Sequence, residues 1–113
     1  MIQQIFGTRL VAIGKEGAVT VSRLPEKSVL WTSRPRQSHQ GNITVLAWSH
    51  DGKYLATGGS DAVVKVWEAE SGRLLSTYHQ HQHPVCALSW SPDSKSIASA
   101  AVHEALRVWK ALS

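Results

Sequence analysis

One cysteine, Cys86, in 113 residues excludes a disulfide within the chain. Apolar residues never run on toward the ~20 that a membrane-spanning helix requires. Met1–Phe6 has neither the charged segment nor the apolar stretch of a secretory leader. Together these absences make the cytoplasm the expected location. An apolar pattern at i, i+3 and i+4 is nowhere sustained over a helical length, so almost no helix is expected. No G-x-S-x-G elbow, phosphate-cradling glycine loop or H-E-x-x-H pair is present, and the chain reads as no enzyme. Acidic residues are scarce at the start: residues 1–38 carry six Lys/Arg against two Glu, whereas residues 39–113 carry six against six. The net charge of +4 therefore lies on the first third, Arg34-Pro35-Arg36 included. Aromatic and basic residues do not interleave there, so a solvated basic edge accounts for the excess and nucleic acid is not the expected partner.

What is present is a repeat. Ile43–Trp67 and Val85–Trp109 align without a gap, 42 positions apart. Leu46/Leu88, Trp48/Trp90, Ser49/Ser91, Asp51/Asp93, Lys53/Lys95, Ala56/Ala98, Val66/Val108 and Trp67/Trp109 are identical. A unit of this length cannot bury its own hydrophobic face and must stack on neighbours. Ile43–Trp48 is β-branched, aromatic and nearly all apolar, as a strand buried on both faces requires. Asp51-Gly52 reverses the chain, and Ser91-Pro-Asp-Ser94 is its counterpart. A second strand starts at Tyr54-Leu-Ala-Thr57 and is broken by Gly58-Gly59-Ser60-Asp61; Val63–Trp67 is a third, and Arg73–Tyr78 a fourth after Ser71-Gly72. Each copy is thus a four-stranded antiparallel meander.

These residues resemble the WD40 repeat family: His39 ahead of Trp48, Ser49-His-Asp-Gly52, Leu55-Ala-Thr-Gly58, Asp61 and Val64-Lys-Val-Trp67, then His81, Trp90, Ser91-Pro-Asp-Ser94, Ile97-Ala-Ser99 and Leu106-Arg-Val-Trp109. The resemblance implies an all-β, partial β-propeller of three blades. Residues 1–38 form a degenerate blade, 39–80 a complete one, and 81–113 one lacking its outer strand, strand d. In the first, Leu10–Gly14 aligns with Tyr54–Gly58 and Val19–Val21 with Val64–Val66, one residue being deleted between them, and Ser22 stands in place of Trp67.

By the same resemblance His39, Thr57, Asp61 and Trp67 form a hydrogen-bonded structural chain inside one blade. The third blade keeps His81, Ser99 and Trp109 but has His103 where Asp61 stands, so its anionic acceptor is expected to be gone. Asp51 and Asp93 read as turn residues. His79-Gln-His-Gln-His83 could place three imidazoles on one side of an extended segment, but no Cys or carboxylate stands nearby in sequence, and no metal or cofactor is expected. Cys86 reads as a small buried hydrophobe. Trp31 follows no copy and is the one aromatic to test as a surface contact.

Three blades do not close a ring, so the chain is expected to be part of a larger propeller or to close one with copies of itself, two giving six blades and three giving nine. The resemblance implies a non-catalytic scaffold binding other proteins or peptides, on the face of the d–a and b–c loops. Those loops hold Lys15, Glu16, Arg34, Arg36, Gln37, Gln40, Ser60, Gln82, His83, His103 and Glu104. The alternative is a remnant structural piece without a partner of its own.

Overall fold

The structure, a computed structural model, describes residues 3–13, 17–35 and 37–112. Eleven strands are described: β1 Gln3–Phe6, β2 Arg9–Ile13, β3 Val19–Arg23, β4 Ser28–Thr32, β5 Ile43–Trp48, β6 Tyr54–Gly59, β7 Val64–Glu68, β8 Leu74–Tyr78, β9 Val85–Trp90, β10 Ser96–Ala101 and β11 Arg107–Lys110. They form three antiparallel meanders, ordered β1-β2-β3-β4, β5-β6-β7-β8 and β9-β10-β11. Among the described residues there is no α-helix, and the third sheet has β11 at its edge.

The turn chemistry repeats as the alignment predicts. In the β5–β6 turn, Ser49 Oγ–H donates to Asp51 (2.7 Å), and Asp51 accepts the Lys53 N–H (3.0 Å). The β9–β10 turn repeats this with Ser91, Asp93 and Lys95. Gly52 and Ser94 both take a left-handed φ, +74° and +60°. Asp51 and Asp93 are therefore turn residues, their carboxyls held below the usual carboxylate range chiefly by these seryl hydroxyls.

The sheets stack face to face. Leu55 and Trp67 of the middle sheet pack on Val11, Val21 and Trp31 of the first. Its other face sets Ala56 and Val66 against Trp90 and Ile97 of the third. Each seam carries two aromatic stacks: Phe6–Trp48 (5.8 Å) with Trp31–Trp67 (5.7 Å), and Tyr54–Trp90 (6.0 Å) with Tyr78–Trp109 (4.4 Å). Such stacks contribute ~0.5–1.5 kcal/mol each beyond the area they bury.

Four expectations are corrected. Trp31 is a core residue: it is buried against Trp67 and its Nε1–H donates to Ala69 O across the seam (2.8 Å). The Gly58-Gly59 pair does not break β6, which runs to Gly59; a Cβ on Gly58 would stand 2.7 Å from Val85 of the third sheet, so the missing side chain lets the seam close. Cys86 is exposed, because β9 belongs to the last sheet and nothing described covers its far side. The first blade also aligns one residue differently. Arg9 and Ile13 pair with Arg23 and Val19, as Tyr54 and Gly58 pair with Glu68 and Val64. Val11 therefore corresponds to Ala56, no residue is deleted, and Val11 faces the following blade; a one-residue slip in a strand exchanges its faces.

Candidate functional site: the loop face and its hydrogen-bonded relays

The loops between successive sheets lead into two buried relays. In the middle sheet, Trp67 on β7 donates its Nε1–H to Thr57 Oγ1 on β6 (3.0 Å). Thr57 Oγ1 lies 2.7 Å from His39 Nε2, and His39 Nδ1 lies 3.1 Å from both carboxylate oxygens of Asp61. One assignment of protons satisfies every atom. Thr57 accepts from the indole and donates to Nε2, so Nε2 is unprotonated and Nδ1–H donates to Asp61. His39 is then neutral. Burial holds its pKa below the ordinary value, outweighing the attraction of Asp61. Asp61 also accepts the Gln40 N–H (3.0 Å) and the Val63 N–H (3.3 Å). Burial raises its pKa, yet His39 and these N–H groups together leave it lowered. The relay ties the loop before β5 to the loop after β6. Both nitrogens of His39 are occupied, so the set acts as a brace, with no lone pair left for acid–base work.

The third sheet repeats the relay, contrary to expectation. Trp109 Nε1–H donates to Ser99 Oγ (3.1 Å), which lies 2.7 Å from His81 Nε2. The anionic acceptor is Glu104, one position beyond His103: His81 Nδ1 lies 3.2 Å from its Oε1. The turn explains the shift. Ala62 takes the left-handed φ (+66°) in the middle blade, but His103 takes it (+61°) in the third. Moving the left-handed residue back by one points the next side chain inward, and the longer Glu spans the added distance. Glu104 also accepts the Gln82 N–H (2.8 Å) and lies 3.0 Å from His83 Nδ1. Although partial removal from water opposes it, these donors and His81 lower its pKa to about 2. A carboxylate thus does reach His81 and His83, but as a hydrogen-bond acceptor; among the described residues no group of His, Cys, Asp and Glu is arranged to hold a metal. Among the described residues the first sheet has no imidazole relay: Ser33 Oγ accepts the Val19 N–H (2.9 Å) and pairs with Ser38 Oγ (2.7 Å).

The expected partner residues fall in separate places. Arg34 and Gln37 line one cleft at the first seam. Gln40 lines another of about 490 Å³ with Pro35, Gly41 and Asn42. His83 and Glu104 meet in the third blade, and His103 is exposed beside them. Lys15, Glu16 and Arg36 lie outside the described residues. Arg73, which shares the cleft of Arg34, was not singled out by its sequence; it belongs to a turn between β7 and β8, and only the stacking of two sheets brings it there.

A family model described as the anaphase-promoting complex subunit 4 WD40 domain matches residues 8–93. The chain is 51% identical over 37 residues to Protein HIR1 of Yarrowia lipolytica, covering 33% of the chain and 4% of that protein. It is 30% identical over 79 residues to Protein HIR1 of Kluyveromyces lactis, covering 57% of the chain and 9% of that protein. The chain thus spans less than a tenth of the length of these two relatives. Among solved structures, the computationally designed Ika4 protein superposes with a TM-score of 0.82 at 29% identity, over 96% of this chain and 63% of that one. A chain of the mitotic checkpoint complex superposes with a TM-score of 0.83 at 27% identity, over 97% of this chain and 35% of that one.

Proposed function

The chain belongs to the WD40 repeat family, and from that premise we propose that it is a non-catalytic, cytoplasmic platform on whose loop face other proteins or peptides dock. The observation that carries this reading is the pair of buried relays. They spend eight hydrogen-bonding side chains on holding loops still, four ending at Asp61 and four at Glu104. A fixed loop face lowers the ordering cost of binding. Exposed side chains between the braced points, Gln40, Gln82 and His83, would make the contacts. Affinity capture with the full chain tests this. Gln40→Glu and Gln82→Lys should each deplete the same captured protein while the thermal melt stays unchanged. Equal capture by both variants refutes the platform, and a parallel fall in melting temperature makes these residues structural.

A second reading concerns assembly. Val64 and Val66 are fully buried, whereas the aligned Leu106 and Val108 are 64% and 70% exposed. This flank suits a further blade, from a larger propeller or from a copy of the chain. Light scattering should then return a mass above 12.4 kDa. A monomer of that mass with a cooperative melt sinks the self-assembly reading.

A further inference from the structure

At the outer rim of the first seam, β4 contributes Trp31 and Thr32, the loop after it Arg34 and Gln37, and the turn before β8 Ser71 and Arg73, around a cleft of about 460 Å³. Both guanidinium groups are exposed, and neither forms an ion pair among the described residues. Two acids lie nearby. Ser71 Oγ–H donates to Glu68, which lines a different cleft, and Glu70 pairs with Arg9.

The backbone under both arginines is held. Arg34 O accepts the N–H groups of Gln37 and Ser38 (both 2.9 Å) and the Ser38 hydroxyl (2.9 Å). Lys65 Nζ donates to Gln37 O (2.7 Å), clamping this loop to the middle sheet. On the facing wall, Arg73 N–H donates to Ser71 Oγ (3.2 Å) and Arg73 O accepts the Glu68 N–H (2.9 Å). The floor is the buried Trp31, packed so closely on Gly72 that a Cβ there would lie 2.4 Å from the indole.

We propose that this cleft binds a phosphate monoester carried on a side chain of a partner polypeptide. Two guanidinium forks supply the charge, and the Gln37 amide supplies a further donor, with the Thr32 hydroxyl beside it paired to Thr20 Oγ1 (3.1 Å). A monoester brings a charge of about −1.5 to −2 and three acceptor oxygens, which matches two forks; a carboxylate brings half that charge. Nucleic acid fits less well, since it takes a track of cations and open aromatic faces, whereas here the described residues place two cations in one hollow and the indole is covered. The inference goes beyond the platform reading, because Ser71 and Arg73 lie outside the loops of that face.

The test is an amide-shift titration of the isotope-labelled full chain with inorganic phosphate, against chloride at equal ionic strength. A phosphoserine peptide and its unphosphorylated form follow. Shifts should concentrate at Thr32, Arg34, Gln37 and Ser71–Arg73, and the phosphopeptide should bind more tightly than its unphosphorylated form. Arg34→Gln and Arg73→Gln should each weaken phosphate by about tenfold, the worth of one charge-assisted hydrogen bond, with unchanged melts. Arg73→Lys should fall between. Should one variant lose its fold, the other is decisive alone. Shifts spread over basic residues generally, equal binding of both peptides, or no effect of either substitution overturns the proposal. Displacement of the phosphopeptide by a lower concentration of single-stranded RNA overturns it in favour of nucleic acid.

Discussion

In the relay of the middle blade the hydroxyl sets which nitrogen of His39 carries the proton. Thr57 has one proton to give; having accepted from Trp67 it gives that proton to His39 Nε2, and the imidazole faces Asp61 with Nδ1–H. A pH dependence follows. The folded pKa of His39 lies below its unfolded value of 6.5, first because of burial. The unfolded chain therefore takes up the proton first, so stability is constant above 6.5 and falls as pH drops below it. Asp61 and Glu104 are lowered as well, which places their losses further into acid, for Glu104 between 4.5 and about 2. Urea midpoints should thus be level from about pH 8 to about pH 7 and decline below that. Midpoints that rise on mild acidification would mean that His39 is charged. A second prediction separates neighbours: Glu104→Ala should lower the melting temperature, while His103→Ala leaves it nearly unchanged, since only Glu104 enters the relay. The opposite ranking would return the relay to the position read from the alignment.

Elements show why the alignment erred where it did. β2 is short and apolar, and without a Trp or a turn motif inside it a one-residue slip costs the sequence match nothing. The slip is decided by pairing: Val11 stands opposite Val21, and both reach the core shared with Leu55 and Trp67. The β3–β4 and β7–β8 pairs also share an irregularity, between Val21 and Ser22 and between Val66 and Trp67, at corresponding positions. In the first sheet Trp31 stands opposite Val21, which faces the seam, and so shares that face. Trp31→Ala should therefore cost ~3–5 kcal/mol in a denaturant titration, the range for a large buried aromatic. A loss under 1 kcal/mol would place Trp31 at the surface instead. The turn after β6 offers the reverse case. Ala62 holds a left-handed φ of +66°, and Ala62→Gly should stabilise by ~0.5–1 kcal/mol, the strain removed less the added freedom of the unfolded chain.

For the whole molecule, cover distinguishes the repeats more than composition does. Val66 and Val108 are identical in the alignment, yet one is fully buried and the other 70% exposed, because only the first has a sheet stacked beyond it. The comparison is measurable. Val66→Ala should cost ~1–3 kcal/mol, and Val108→Ala almost nothing if the flank is bare in solution. Equal costs would show that another blade covers it.

The strands, their turns and the antiparallel meander were legible from the chain alone, because each depends on residues close in sequence or repeated at a fixed spacing; the histidine relay of the middle blade was expected only through the resemblance to WD40 repeats. Alternation sets a strand's faces, Asp and Gly set the turns, and a donor–acceptor set recurs only where the same blade recurs. Stacking decided the rest. Trp31 became core, Glu104 replaced the expected vacancy at His103, and Arg34 met Arg73. In each case the partner lies on another sheet, or the backbone turns by one residue more or less, and neither is encoded in local pattern.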